Sequence, residues 1–463
     1  MNFPKQIFKA YDIRGLVDGE LSEEFAYALG QAFVEFLQLH GFDPVDKLLV
    51  VGRDMRATSL SFQQALIRGV NDSGVNVVDI GLATTPLFNF ACAHYVAHVA
   101  GIMVTASHNP AEYNGFKMTL SDGLPVGKNN GMDEVRDLTE KYLNNPLMEK
   151  LSGTITQFNP SADYFAKLFS LASPESINPL KVVIDAGNGM AQVTIPAVLK
   201  HLPVQVEYLY LEPDGRFPNH EANPLKTDTL RDLQAKVLES GADLGFALDG
   251  DADRLGLVDE EGEVVEASFV GALIGLEILK ENPGALMLYD LRSSMIVPEV
   301  WAAAGAKTAK SVVGHALIKK QMKEQSATFA SELSLHLYFH SMYDVESTDL
   351  ALLYILRLLS QSNKKLSELI APLKKYFHSG ESNYKVSDPA AVMARLENEY
   401  KNFAKEISHL DGLWLGFDWG WFNVRASNTE PVLRLNLEAH TRELMDEKLR
   451  EVKALIECHS ERM

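Results

Sequence analysis

The chain has 463 residues, 46% hydrophobic and 23% charged, the balance of a globular protein with three or four domains of about 100–200 residues each, not of a disordered or fibrous chain. With 62 acidic against 43 basic side chains and a net charge of -19, it repels nucleic acid and anionic lipid, so neither is an expected partner. Its two cysteines, Cys92 and Cys458, make no disulfide framework and fit no metal spacing; with no signal-peptide pattern at Met1 and no apolar run of about 20 residues, a cytoplasmic protein is expected.

Along the chain, short apolar runs alternate with amphipathic stretches. Ser22 is a cap signal ahead of a helix that carries Phe25, Leu29, Phe33 and Phe36 on its apolar face. The runs 47–54, 181–189 and 285–290 each lead through leucine or β-branched residues to an aspartate, Asp54, Asp185 or Asp290. Continuous runs of this kind suit strands covered on both faces by helices. They lie roughly 100–130 residues apart, the spacing of whole domains. That fits three similar α/β units, but also any α/β chain. Ser347, Thr348 and Asp349 offer caps for a helix over 351–359, and Thr441 for a closing helix over 443–458. The segments 144–146 and 158–160, the turn 259–262 and the polar stretch 378–383 mark candidate boundaries. Beyond 383 the pattern becomes α+β, with a helix near 390–407 and strands near 413–417 and 432–437.

A strand over 101–104 ends at Thr105-Ala106-Ser107-His108-Asn109-Pro110. Pro110 cannot continue a ladder, and Asn109 before it is pushed out of helical space. Ser107 therefore falls on an exposed turn at a strand end, where open α/β sheets bind ligands. Alone, it reads first as a cap or turn residue. No G-x-S-x-G elbow accompanies it. His108 is a poor base for Ser107, because adjacent side chains generally diverge. A phosphorylated serine held by a cation is the better reactive reading.

The segment Leu248-Asp249-Gly250-Asp251-Ala252-Asp253-Arg254-Leu255 sits between apolar flanks. In an extended segment the three alternate aspartates point one way, and converging carboxylates repel unless a cation joins them. Hard oxygen ligands favour Mg²⁺ or Ca²⁺. An EF-hand would place Glu260 at its twelfth position, but its sixth is Arg254 rather than glycine and the flanks look like strands. Three aspartates leave a coordination position for a phosphate oxygen, which ties this segment to Ser107. Arg425-Ala426-Ser427-Asn428-Thr429-Glu430-Pro431 brings a guanidinium, hydroxyls, an amide and backbone N–H groups together. It reads as a phosphate cradle or as a polar turn.

Together these segments resemble the α-D-phosphohexomutase family, in its phosphomannomutase/phosphoglucomutase branch. Phe8-Lys9-Ala10-Tyr11-Asp12-Ile13-Arg14-Gly15 looks like the family's amino-terminal segment, and residues 105–110 like its phosphoserine loop. Residues 249–254 look like its metal loop, Gly314-His315-Ala316 like its sugar-specificity loop, Ser331-Glu332-Leu333-Ser334-Leu335-His336 like its sugar-binding segment, and 425–431 like its phosphate loop.

The resemblance implies three related α/β domains with mixed sheets sandwiched by helices (1–158, 159–262 and 263–376) and a smaller α+β domain (377–463) around a central cleft. It implies that Ser107 carries the transferred phosphate, with Mg²⁺ held by that phosphate, Asp249, Asp251 and Asp253. Lys117, His336 and Arg14 take catalytic roles, the first two as acid/base. Tyr11, Arg254, Gly314, His315, Glu332, Ser334, Arg425, Ser427, Asn428 and Thr429 bind substrate. The implied activity moves a phosphate between the 6- and 1-positions of a hexose, mannose first, through a 1,6-bisphosphate that also serves as activator. Phosphoglucomutase, phosphoglucosamine mutase and a non-catalytic sugar-phosphate binder are the alternatives. Hexose phosphates are the expected partners of a monomer or weak dimer. Two positions depart from the family pattern. Ser331 stands for a glycine that would let backbone approach the ligand, and Leu335 for a small residue. Both are expected to alter sugar preference or rate.

Overall fold

Each of the three apolar runs forms an interior strand of its own sheet, central to a parallel trio: Leu48–Arg53, Leu180–Asp185 and Leu286–Asp290. The computed structural model describes residues 3–42, 47–128, 130–147, 151–426 and 432–457. In each sheet a second strand pairs parallel on one side of the central one: Asn76–Leu82, Val204–Leu209 and Lys307–Ser311. A third pairs parallel on the other side: His98–Val104, Leu244–Leu248 and Phe329–Ser331. A fourth turns back antiparallel to the third: Tyr113–Leu120, Leu255–Asp259 and Leu337–Phe339. The threefold repeat that spacing left open is therefore present in the topology. The first sheet adds Ile13–Leu16 beside its fourth strand and Ile155–Gln157 at its far edge.

The central strands read as unbroken apolar runs because both faces are covered. Helices Glu23–Leu39, Ser59–Asp72 and Met132–Asn144 bury one face of the first sheet, with Phe33, Phe116 and Val51 in their core. The opposite face joins a second core shared by all three units, with Phe88, Phe246, Phe329 and Leu352. Helix Thr348–Ser362 is buried nearly all round at the centre of that core. Ser22, Ser347 and Thr441 cap their helices as expected, accepting from Phe25, Leu350 and Leu444 N–H.

The fourth sheet is antiparallel, ordered Phe377–His378, Leu433–Ala439, Gly420–Ala426, Leu413–Phe417, Glu406–Ser408, with Ser382–Tyr384 also on Leu433–Ala439. Helices Pro389–Tyr400 and Arg442–Glu457 accompany it. The helix expected over 390–407 ends at Tyr400, because Glu406–Ser408 is drawn into the sheet edge. The turn 259–262 is a hairpin at the end of the second sheet, closing onto its last strand Val264–Val265, so the second unit ends just past it.

Candidate active site

Three loops in the same topological place build the site. Each joins a third strand to its antiparallel fourth: 105–112, 249–254 and 332–336. Each holds one non-glycine residue at positive φ, namely Ser107 at 52°, Ala252 at 58° and Leu335 at 69°. The three carboxylates thus converge through a turn closed by Ala252 N–H donating to Asp249 O, not through the pleat of an extended segment. Asp249, Asp251 and Asp253 place ligand oxygens within 4.8 Å of one another, all buried.

Ser107 Oγ donates to Asp249 Oδ2 at 2.9 Å. Contrary to the expectation of an exposed turn, Ser107 is buried, because the aspartate loop packs over it. A Cβ on Gly250 would come within 2.4 Å of the Ser107 carbonyl, so only glycine permits this approach. The second reversal concerns His108, whose Nδ1 lies 3.0 Å from Ser107 Oγ. The positive φ of Ser107 folds the chain so that the adjacent side chains meet. Burial, then the charges of Arg254 and Arg14, keep the His108 imidazole well below its usual pKa and hence neutral.

Lys117 Nζ lies 2.6 Å from Asp251 Oδ2 and 2.7 Å from Asp253 Oδ2. Burial opposes its charge, but the two aspartates outweigh it and raise its pKa. Thr85 Oγ1 donates to Asp251 Oδ2 at 2.6 Å. Burial works against ionisation of Asp253, yet Lys117 and His336 hold it well below the usual range, while burial and the neighbouring aspartates push Asp249 up. Oδ1 of Asp251 is buried without a hydrogen bond, and Oδ1 of Asp253 meets only the His336 imidazole. Three converging carboxylates, with a buried oxygen of Asp251 left unpaired, fit a divalent cation.

Above this cluster opens a cleft of about 1200 Å³ whose walls include Tyr11, Arg14, Arg254, His315, Glu332 and His336. Arg14 donates to Asp12 Oδ2 and Asn109 Oδ1. Tyr11 OH donates to Val313 O, beside the His315 ring. In the third unit Ser334 Oγ lies 2.8 Å from His336 Nδ1, Glu332 Oε2 3.2 Å from the same nitrogen, and Asp253 Oδ1 3.3 Å from His336 Nε2. Burial alone would lower the pKa of His336. Asp253 and Glu332 reverse that and raise it to about 9.

Four family profiles match the chain in order. They are the phosphoglucomutase/phosphomannomutase alpha/beta/alpha domains I, II and III at residues 5–145, 161–262 and 267–376, and the C-terminal domain at 381–455. The chain belongs to the phosphoglucomutase/phosphomannomutase family. A phosphomannomutase of Salmonella typhimurium is 37% identical over 457 residues, covering 97% of this chain and 98% of that one. One from Methanocaldococcus jannaschii is 38% identical over 454 residues, covering 97% of each. The crystal structure of a phosphoglucomutase/phosphomannomutase family protein from Burkholderia thailandensis superposes with a TM-score of 0.88 at 30% identity, covering 99% of this chain and 98% of that one.

In this member of the phosphoglucomutase/phosphomannomutase family, the cleft's far wall comes from the third and fourth units. Glu381 gathers Arg292 Nη1 at 3.4 Å, Arg425 Nη2 at 3.4 Å and Arg434 Nη1 at 2.7 Å. Ser427, Asn428 and Thr429 lie outside the described residues. Arg425 is the expected member of this cluster; Arg292, Arg434 and Glu381 went unread. Arg292 had a signal: it follows Asp290 by two positions, as Arg56 follows Asp54. Ser331, expected to change the approach to ligand, instead packs against helix Ala267–Glu281 at Gly271, where a Cβ would come within 2.6 Å of it. Leu335 does line the cleft.

Proposed function

We propose that the chain interconverts hexose 6-phosphate and hexose 1-phosphate, mannose foremost, through a 1,6-bisphosphate and a phosphorylated Ser107. The observation that carries this is Ser107 Oγ held 2.9 Å from Asp249, in a buried cluster of three carboxylates with an unpaired Asp251 oxygen, below a cleft lined by arginines. Curated phosphomannomutases at 37–38% identity over 97% of the chain support the mutase chemistry and the mannose reading.

Phosphoryl transfer asks a protein for positioning and charge neutralisation. The bond between phosphorus and Ser107 Oγ breaks as phosphorus bonds to a sugar hydroxyl, whose proton leaves to a cleft base. The resulting bisphosphate turns over, and its other phosphate returns to Ser107. Asp249, Asp251, Asp253 and the phosphoserine would hold Mg²⁺, which supplies neutralisation of the phosphate charge. His336, whose pKa Asp253 and Glu332 raise to about 9, gives a proton to the departing oxygen, and Lys117, once its own proton has left to solvent, is the base that takes the hydroxyl proton. Arg14 and Arg254 flank the transferred group. Tyr11, Gly314, His315, Glu332 and Ser334 meet the sugar. Arg425, with Ser427, Asn428 and Thr429, holds the phosphate that stays. Domain limits at 158, 262 and 376, a cytoplasmic setting, a monomer or weak dimer, and a hexose 1,6-bisphosphate primer belong to the same reading. Intact mass after incubation with the bisphosphate tests it. One phosphate on the parent chain and none on Ser107→Ala, with mutase activity lost by about 10⁴-fold or more, is expected. A fully active Ser107→Ala ends the reading.

A further inference from the structure

Arg56 is 3% exposed and spends its guanidinium on the backbone that carries Ser107. Its Nη1 donates to Pro110 O at 2.7 Å and Tyr113 O at 2.8 Å. Its Nη2 donates to Ser107 O at 2.8 Å and Asn109 O at 2.5 Å. Nε faces Asp54 Oδ2 at 3.2 Å, and the Phe217 ring of the second unit caps the guanidinium 5.1 Å away. The irregular loop has few ladder partners for these four carbonyls, and the planar fork meets them all. On its other side the Ser107 carbonyl is pressed by Gly250 of the aspartate loop. Ser107 is thereby clamped at φ 52°, a region a serine keeps only when its surroundings impose it.

We propose that Arg56 is a positioning residue for phosphoryl transfer, holding Ser107 in the left-handed conformation that aims Oγ into the aspartate cluster. This rests on Ser107 as the phosphate carrier. The third unit sets the same turn under its own loop, with the backbone contact made by the aspartate instead. Asp290 accepts from Leu333 N–H at 3.2 Å, and Arg292, two residues on, faces Glu332 Oε1 at 3.6 Å. In both units an Asp-x-Arg turn after the central strand supports the loop after the third strand. Arg56 touches no reacting atom; it sets the direction of the one that reacts.

Lysine at this position keeps the charge but lacks the fork. Arg56→Lys is expected to lower kcat by about 100-fold while KM for the hexose phosphate stays within about threefold, since a misplaced nucleophile costs turnover rather than binding. The ³¹P resonance of the phosphoserine is expected to shift and broaden. In Arg56→Ala, millimolar methylguanidinium is expected to restore at least about tenfold of the lost rate by refilling the fork. Phe217→Leu keeps the guanidinium but removes the ring that holds it against the loop, loosening the four bonds, and so guards against an Arg56 variant that does not fold: kcat falls by about threefold or more at unchanged KM. A kcat within about threefold of the parent in Arg56→Lys with an unchanged ³¹P resonance overturns the proposal, as does loss in folded Arg56→Ala that methylguanidinium leaves untouched, or an unaltered kcat in Phe217→Leu. If Ser107→Ala is inactive while Arg56→Lys is normal, only the role of Arg56 falls; an active Ser107→Ala removes the carrier itself.

Discussion

Lys117 Nζ sits 2.6 Å from Asp251 Oδ2, inside the carboxylate cluster rather than free in the cleft. It also reaches Asp253, so one ammonium neutralises part of the charge a divalent cation would neutralise. Lysine and metal therefore draw on the charge of the same carboxylates, the lysine through their Oδ2 atoms. Removing one partner of a buried ion pair leaves the other uncompensated, at a cost of about 3 kcal/mol or more. Lys117→Met is expected to lower the unfolding temperature in EDTA and to recover in Mg²⁺, with the Mg²⁺-induced rise larger than in the parent. Calorimetric scans with and without the ion measure this. An equal rise in both proteins would show that the lysine and the ion do not share the site.

Glu438 joins the third and fourth units, accepting from Met295 N–H at 2.8 Å and Trp421 Nε1–H at 3.0 Å. Burial raises its pKa to about 7, against the lowering effect of those donors. A carboxyl whose folded pKa exceeds its unfolded value stabilises the fold fully below the unfolded value, and that stability is lost as pH rises through the folded one. The window here runs from about 4.5 to about 7. Glu438→Gln keeps an acceptor without the charge. It is expected to flatten stability across that window and to gain about 2 kcal/mol at pH 8 relative to the parent. Urea unfolding at pH 5 and pH 8 checks it; a parallel pH dependence in both proteins contradicts it.

The central strands, helix caps and candidate site loops were legible in the sequence because each is a local pattern. The aspartates show as three carboxylates between apolar flanks, and Ser22 and Ser347 as caps before apolar periodicity. Contacts that depend on a turn were not legible. Ser107 and His108 meet only because φ is positive at the serine. Ser331 looked like a ligand-facing change, yet its partner is Gly271 on a helix 60 positions earlier in sequence. The arginine cluster on Glu381 draws on residues from 292 to 434, a convergence no short window displays.

Leu335 is the departure that the site itself feels. It keeps φ at 69°, where a β-carbon is unfavourable, and its side chain forms cleft wall beside His336. Glycine there relieves about 1 kcal/mol of backbone strain but withdraws a buried leucine worth about 2 kcal/mol. Leu335→Gly is thus expected to be slightly less stable and to widen the sugar end of the cleft. The ratio of kcat/KM for mannose 1-phosphate over glucose 1-phosphate is expected to change by about threefold or more. Side-by-side assays decide; an unchanged ratio clears Leu335 of any part in sugar choice.

Glu381 stands where the cleft's arginines converge, and on the proposed function its carboxylate is an anion in the place an incoming phosphate would need. Arg292, Arg434 and Arg425 hold it below the usual carboxylate range despite its burial. Asn436 Nδ2 donates to it as well, at 3.3 Å. A phosphate that enters must draw the same guanidiniums away from this carboxylate, so the resident charge weakens binding even as it keeps the arginines assembled. Arg425 Nε, buried without a hydrogen bond, shows that donor capacity remains beyond what Glu381 uses. Glu381→Gln keeps the shape and an acceptor oxygen but gives up the competing charge. Its affinity for inorganic phosphate is expected to rise by about tenfold, equivalent to about 1.4 kcal/mol, and KM for the hexose phosphate to fall with it. Isothermal titration of metal-loaded enzyme with phosphate measures the first and steady-state kinetics the second. If phosphate instead binds more weakly to Glu381→Gln, assembling the arginines outweighs the competition, and Glu381 is a support of the cradle rather than its rival.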